Sequence, residues 1–304
     1  MATRRAYRVA YDGRPFFGFQ RQPDVPTVED ALLDALRALD VLGHDADTPP
    51  GYAAAGRTDR GVSAVRQTVA FDAPAWLTPR AFSSELPAAV RVWAAADAPV
   101  DFHATHDAVR RTYRYHLHAP GANLARARAA AEALSGEHDV HNLTSDPRGP
   151  KTRRDLSLSV DAGRGEGALA VGDPEPVDAG DDFLTLTVAA GGFPREFVRR
   201  VAAVVRGVAV DNTGLDRIEE LLGDEALSGP RGVAPAPPEP LVLADVTYPD
   251  LDFVPDPEAV AALRAVFGER RVAAIARSRA LGDVVDAVDA ASDAASEAAS
   301  DAVE

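Results

Sequence analysis

Thr27-Val28-Glu29-Asp30-Ala31-Leu32-Leu33-Asp34-Ala35-Leu36-Arg37-Ala38-Leu39-Asp40-Val41-Leu42-Gly43 reads as one amphipathic helix, Val28 to Leu42. Thr27 and Asp30 have capping-box spacing, each side chain able to reach the other's free backbone N–H. Val28, Ala31, Leu32, Ala35, Leu36 and Leu39 form one apolar stripe, and Gly43 is placed to end the helix. Outward from it, Ala6 to Tyr11 predicts a strand before the helix. Tyr52 to Ala55 and Val65 to Phe71 predict two strands after it, joined by a Gly-bounded turn. A short helix opens at Thr78-Pro79, with proline at its favoured first position, and a strand covers Val90 to Ala95. The order is β-α-β-β-α-β.

The rest of the chain repeats that order without repeating the sequence. A strand is expected over Thr112 to Leu117, a helix over Ala122 to Leu134, and strands near Leu156 to Val160 and Phe183 to Ala189. Helices follow at about Arg195 to Val210 and Leu215 to Leu222, then a last strand, Leu241 to Thr247. The fold class is therefore α+β: two ferredoxin-like, RNA-recognition-like halves whose antiparallel sheets flank a central cleft. The expected divisions are 1–105, 106–250 and a helical, acidic extension, 251–304. Gly163 to Gly180, rich in Gly, Pro and acids, predicts a long hairpin loop. From Ala290 only Ala, Ser, Asp and Glu occur apart from Val303, so a solvated or frayed tail is expected.

Composition narrows the function. Within 304 residues, 46% are hydrophobic, enough for a sizeable core, and no apolar run approaches the ~18 residues of a membrane span. The basic N-terminus runs into Tyr7-Arg8-Val9-Ala10 with no apolar signal core, which predicts a cytoplasmic address. The absence of cysteine excludes disulfides and thiolate-bound metal centres. Net charge is −15, against the usual expectation for a nucleic-acid partner. Yet Lys151 is the only lysine among the 32 basic residues, the others being arginine. That balance is the signature of a chain adapted to molar salt, where an acidic surface keeps a protein hydrated. At such ionic strength the Debye length is roughly 3 Å, so an RNA ligand would be held by shape, stacking and short hydrogen bonds.

The most pointed local feature is Gly56-Arg57-Thr58-Asp59-Arg60-Gly61-Val62, where glycines bracket a turn that sets a carboxylate between two arginines at a strand end. By itself this pattern also suits an ordinary hairpin turn with solvated arginines. The segment resembles the catalytic motif of the tRNA pseudouridine synthase A family, Gly-Arg-Thr-Asp-x-Gly-Val. The likeness extends in register from about residue 4 to 250. It takes in Tyr11-Asp12-Gly13, Phe16-Phe17-Gly18-Phe19-Gln20-Arg21-Gln22-Pro23 and Gln67-Thr68-Val69-Ala70-Phe71. Beyond these it covers Asp101-Phe102-His103-Ala104, the tyrosine motif Arg111-Thr112-Tyr113-Arg114-Tyr115, the second arginine motif Phe193-Pro194-Arg195-Glu196-Phe197-Val198-Arg199, and the closing strand, Leu241 to Pro249.

The resemblance implies an isomerase that converts uridine to pseudouridine in the anticodon stem-loop of tRNA, at positions 38 to 40, working as a homodimer without metal or other cofactor. It implies Asp59 as the catalytic aspartate, Tyr113 as the active-site tyrosine and Arg199 as the arginine that pairs with the aspartate. Arg57 would help to hold and flip the target nucleotide, with Thr58 beside it in the substrate-binding motif. The chemistry suits these residue types. Breaking the N1 glycosidic bond and rejoining the base through C5 needs an ionised carboxylate to engage the sugar or take the C2′ proton. A uridine drawn from its stack needs a guanidinium or aromatic group to fill the gap. Tyr113 would stack on the flipped uracil and take the C5 proton.

This chain departs from the family pattern at Arg60 (usually small), Ser63 (often His), Phe19 (commonly Trp) and Arg200 (commonly Asn). Arg60 and Arg200 are read as extra phosphate contacts offsetting the acidic surface. His116 with His118, and His138 with His141, are at most half a metal site each, and with no third ligand at typical spacing no metal is expected at either. Two other functions fit the same pattern: an RNA-binding protein of this fold without activity, and a pseudouridine synthase for another RNA uridine.

Overall fold

The computed structural model describes residues 2–163 and 182–301. The chain divides into two compact units, Met1–Ala259 and Val260–Glu304. In the first unit, β1 (Ala2–Tyr11), α1 (Val28–Ala38), β2 (Ala53–Ala54), β3 (Ser63–Pro74), α2 (Pro79–Ser83) and β4 (Val90–Asp97) give the expected β-α-β-β-α-β order. Then come β5 (Arg110–His118), α3 (Leu124–Ala133), β6 (Gly136–Asp139), β7 (Arg153–Ala162), β8 (Phe183–Ala190), α4 (Phe197–Ala209), α5 (Asp216–Leu222) and β9 (Leu241–Thr247). A two-residue β10 (Val254–Pro255) precedes α6 (Pro257–Asp301).

The expectation of two separate sheets is corrected. One mostly antiparallel sheet runs β10-β4-β1-β3-β9-β5-β8-β7-β6, with β2 paired to β3 beside this path. The reason lies in the length of β2. It covers β3 only at Ala70 and Val69, leaving the other end of the β3 edge open. There β9 pairs in parallel, Ser63 opposite Val242 and Ala64 opposite Leu243. An unpaired strand edge exposes backbone donors and acceptors, and this junction satisfies them. Two apolar cores lie along the sheet, one centred on Tyr7, Phe71, Phe82 and Leu36, the other on Leu186, Val188, Phe197 and Val205. The chain crosses between them: Leu243 and Val246 of β9 join the first core, Leu241 and Val62 the second.

Local chemistry explains where elements differ from their expected bounds. Helix α1 stops at Ala38, short of Gly43. Asp40 takes the left-handed conformation (φ 55) that ends it. Val41 N–H bonds Leu36 O at 2.9 Å and Asp40 N–H bonds Arg37 O at 3.0 Å, the paired bonds of a Schellman ending. At the other end Thr27 Oγ1 accepts from Asp30 N–H at 3.2 Å. The shorter aspartate meets the Thr27 hydroxyl at 2.6 Å instead of its backbone N–H. Of the predicted hairpin loop 163–180, all but Gly163 falls outside the described residues. Of the solvated or frayed tail expected from Ala290, the fraying is corrected, since the backbone stays helical to Asp301. Alanine has the best helix propensity, and extending a helix already nucleated costs little even without a face to bury. No helix among the described residues is long and apolar enough to cross a membrane.

Candidate active site

The backbone of the loop from Gly56 to Val62 is fixed at several points, and the Asp59 side chain is left facing outward from it. Gly56 O accepts from buried Gln67 Nε2 at 2.9 Å, and Thr58 O accepts from Phe19 N–H at 3.0 Å. Buried Thr58 shares a 2.8 Å hydrogen bond with the hydroxyl of Tyr11, itself fully buried on β1. Val62 N–H closes a turn on Asp59 O at 3.1 Å, with Gly61 at φ 81 in the third position, where a type II turn needs a positive angle. Ser63 Oγ accepts from Gly13 N–H at 3.1 Å. Gly13 is a position of close approach: a Cβ there would lie 2.1 Å from Val62 O. The segment 13–19 and the Asp59 loop thus interlock, and the carboxylate projects from their seam with its side chain 45% exposed.

Tyr113 reaches the same place from β5. Against β9 the register shifts between Thr112 and Tyr113, which face Asp245 and Leu243. A bulge of this kind re-aims the side chains beside it. The ring packs edge-on to Phe193, with centroids 5.4 Å apart. Arg111, two residues earlier, ties the halves together. It donates through Nε and Nη2 to Ala55 O (3.1 and 2.7 Å), through Nη1 to Gly191 O (2.5 Å) and through Nη2 to Thr105 O (2.8 Å).

Arg199 enters from the first turn of α4. Its Nη1 stands 3.5 Å from Asp59 Oδ2, while Nε donates to Ala236 O at 2.6 Å. The chain enters α4 through Glu196 in a left-handed conformation (φ 59), which costs a non-glycine residue about 1–3 kcal/mol and persists only where surroundings dictate it. Here Thr144 Oγ1 donates to Arg195 O at 2.8 Å and Asp146 accepts from Arg195 N–H at 2.9 Å. Arg200 closes the brace, donating to Glu196 Oε2 at 2.8 Å and to Val233 O. The guanidinium of Arg200 is thus committed to protein partners and does not line the cleft, contrary to its reading as a phosphate contact. An (i, i+4) carboxylate and a nearby carbonyl captured it; sequence distance alone does not reveal the second.

Together these elements enclose a cleft of about 390 Å³ lined by Asp59, Tyr113 and Arg199, and also by Arg57, Thr58 and Arg60. Phe17, Phe193, Arg195 and Leu241 are among the other residues of the wall, none of them singled out as a site residue by the motif reading. The one signal for all four was their place inside quoted motifs. The histidine pairs lie elsewhere: His138 Nε2 meets Ser135 O at 2.9 Å, and buried His141 faces Asp139 at 3.4 Å. No group of three metal-ligating side chains occurs among the described residues.

Burial pushes the Tyr113 phenol up to about 12, with the Arg111 charge pulling back and Asp59 adding to the rise. Burial does the same to Tyr7 and Tyr248, each to about 12. Unfolded phenols ionise near pH 10, whereas these keep their protons to about 12. Their contribution to stability is therefore intact below pH 10 and lost as pH rises toward 12. The thermal midpoint is expected to fall across that window, with phenolate absorbance from these rings appearing only on unfolding. Titration of all six tyrosines near pH 10 in a folded chain would contradict this.

A family model described as tRNA pseudouridine synthase matches residues 130–249. The tRNA pseudouridine synthase A of Natronomonas pharaonis is 52% identical over 280 residues, covering 91% of this chain and 97% of that protein. That of Haloarcula marismortui is 48% identical over 291 residues (93% and 99%), and that of Halobacterium salinarum 52% over 282 (92% and 97%). Among solved structures, an archaeal box H/ACA sRNP Nop10–Cbf5 complex aligns with a TM-score of 0.31 and 15% identity over 67% of this chain. The chain spans 44% of the length of that one. The class is thus that of the pseudouridine synthases, which are isomerases. Within it, the chain belongs to the tRNA pseudouridine synthase A family. These three relatives come from halophilic archaea, in keeping with the arginine-for-lysine balance.

Proposed function

We propose that this chain isomerises uridine to pseudouridine in the anticodon stem-loop of tRNA, at positions 38 to 40, with Asp59 as the catalytic carboxylate. The observation that carries this reading is the meeting of Asp59, Arg199 and Tyr113 in one cleft, from stretches up to 140 residues apart. The half-exposed carboxylate faces open space where a flipped nucleotide's sugar can reach it, and Arg199 holds its orientation. Tyr113, a protonated phenol at neutral pH, packs against the uracil. Arg57 makes no side-chain hydrogen bond or ion pair among the described residues and is free to occupy the gap left by the flipped base. Thr58 holds the loop from behind, and Arg200 acts by bracing α4.

Charge supports an RNA ligand despite the net −15. Most arginines of the first unit are paired with carboxylates or backbone carbonyls. Arg57, Arg60 and Arg195, all on the cleft, have no carboxylate partner among the described residues. Cations left without a carboxylate partner on the cleft wall are available to an RNA ligand, to its bases as well as its phosphates.

Leaving aside β6, which extends the second half beyond β7, each half also has a strand order, β4-β1-β3-β2 or β9-β5-β8-β7, that is fourth-first-third-second in its own chain order. That order supports a reading as two ferredoxin-like halves, 1–105 and 106–250, with 251–304 as an extension. The same reading takes the enzyme to be a cytoplasmic homodimer needing no cofactor. The test is to incubate the protein in molar salt with tRNAs that carry uridine at 38, 39 or 40, and to map pseudouridine along each. Modification confined to those positions is expected. Modification elsewhere, or none, overturns the reading.

A further inference from the structure

Phe17 stands at the mouth of the cleft with 37% of its surface exposed, and the Arg60 guanidinium lies over its ring, 4.2 Å from the centroid. Both residues line the wall that carries Asp59. Neither is loosely held. Phe17 N–H donates to Pro26 O at 2.9 Å, and its carbonyl accepts from Gln22 Nε2 at 2.8 Å. Arg60 is the second residue of the tight Asp59–Val62 turn, so its backbone is set by the same bond that sets Asp59. Its guanidinium has no carboxylate partner among the described residues, so its planar face is not held away from the ring by an ion pair.

We infer that Phe17 and Arg60 form a stacking shelf for the nucleobase next to the flipped uridine, the guanidinium lying sandwiched between ring and base. The inference rests on the proposed function for its substrate and adds a subsite to it. An exposed aromatic ring is stabilised when covered, and a delocalised, planar, weakly hydrated guanidinium stacks on both of its faces as an ammonium does not. Salt supplies the reason for a shelf. With a Debye length of roughly 3 Å in molar salt, contacts that depend on long-range attraction to phosphate fade, whereas stacking persists. A base drawn from the helix also leaves a neighbour that needs a new stacking partner. Arg60 follows Asp59 directly, which puts the shelf beside the reacting nucleotide.

The test compares Phe17→Leu, Phe17→Tyr, Arg60→Lys and Arg60→Ala with the parent, each checked for an unchanged thermal midpoint. Two readouts are taken: KM and kcat on an anticodon stem-loop RNA at low and at molar salt, and quenching of 2-aminopurine placed beside the target uridine. Phe17→Leu keeps apolar bulk without a ring, and Arg60→Lys keeps charge without a plane. Both are expected to raise KM about tenfold, with a smaller change in kcat and a ratio to the parent that salt does not alter. Both are expected to lose the quenching, which Phe17→Tyr restores. A neutral Arg60→Lys, with Arg60→Ala raising KM only at low salt, makes Arg60 a phosphate contact and overturns the shelf. Unaltered KM and quenching in Phe17→Leu overturn it as well. If the parent quenches 2-aminopurine but makes no pseudouridine in the stem-loop, the proposed function fails while the quenching of the variants still decides the shelf.

Discussion

Asp59→Asn is expected to abolish release of tritium from uridine C5, lowering the rate by a factor on the order of 10⁴ or more, while RNA binding is kept. The amide has the shape of the carboxylate and can still accept from Arg199 at 3.5 Å. It lacks the negative charge and the basicity that the glycosidic exchange requires. Stability is expected to change little. The Asp59 side chain is 45% exposed, and an ion pair that open to solvent contributes about 0–1 kcal/mol. The thermal midpoint should therefore move by no more than about 4 °C. Affinity for tRNA should hold or rise, since a negative charge has left the mouth of a phosphate-binding cleft. Asp59→Ala serves as the companion variant, because asparagine can deamidate back to aspartate. Retention of more than about one-hundredth of the parent rate in both would exclude this carboxylate from the chemistry.

How far the sequence foretold these features depended on the range of the forces involved. Helix α1 was legible because its signals are local: a hydroxyl at Thr27, an apolar stripe from Val28 to Leu36, a turn of chain after it. Its end was misread because Asp40 and Gly43 both suit a left-handed residue, and the choice falls to where Val41 packs. The Asp59 loop was legible through its flanking glycines, and its significance only through the wider resemblance. The β3–β9 junction was not legible at all. Nothing near Ser63 announces a partner 179 residues later, and the opening for it exists only because β2 is two residues long. Arg200 was misassigned for a related reason: whether a guanidinium faces solvent or Val233 O depends on how a distant loop returns to α4. Short-range chemistry writes itself into sequence; edge pairing and the capture of long side chains do not.

Gly13→Ala should be the most damaging single methyl group in the first half. The backbone at Gly13 is not in the left-handed region, so alanine can adopt its conformation and the effect is one of space alone. The new Cβ would lie 2.1 Å from Val62 O, 2.4 Å from Val62 C and 2.8 Å from Gly61 C, all of them backbone atoms with no rotamer to escape into. One of the two interlocked loops must retreat by about 1 Å. Retreat of the 59–62 turn carries Asp59 with it, because Val62 N–H is bonded to Asp59 O at 3.1 Å. Retreat of the 13–19 segment pulls Phe19 N–H from Thr58 O and loosens the same loop from the other side. Misplacement on that scale costs about a hundredfold in rate, and crowding a packed seam costs about 1–3 kcal/mol. The expected result is a fall of about two orders of magnitude in kcat/KM for pseudouridine formation, with a thermal midpoint lowered by several degrees. Gly43→Ala is the control, since a Cβ there meets nothing within 4 Å and should alter neither quantity. Parental kinetics in Gly13→Ala would mean that Asp59 is positioned by something other than this seam.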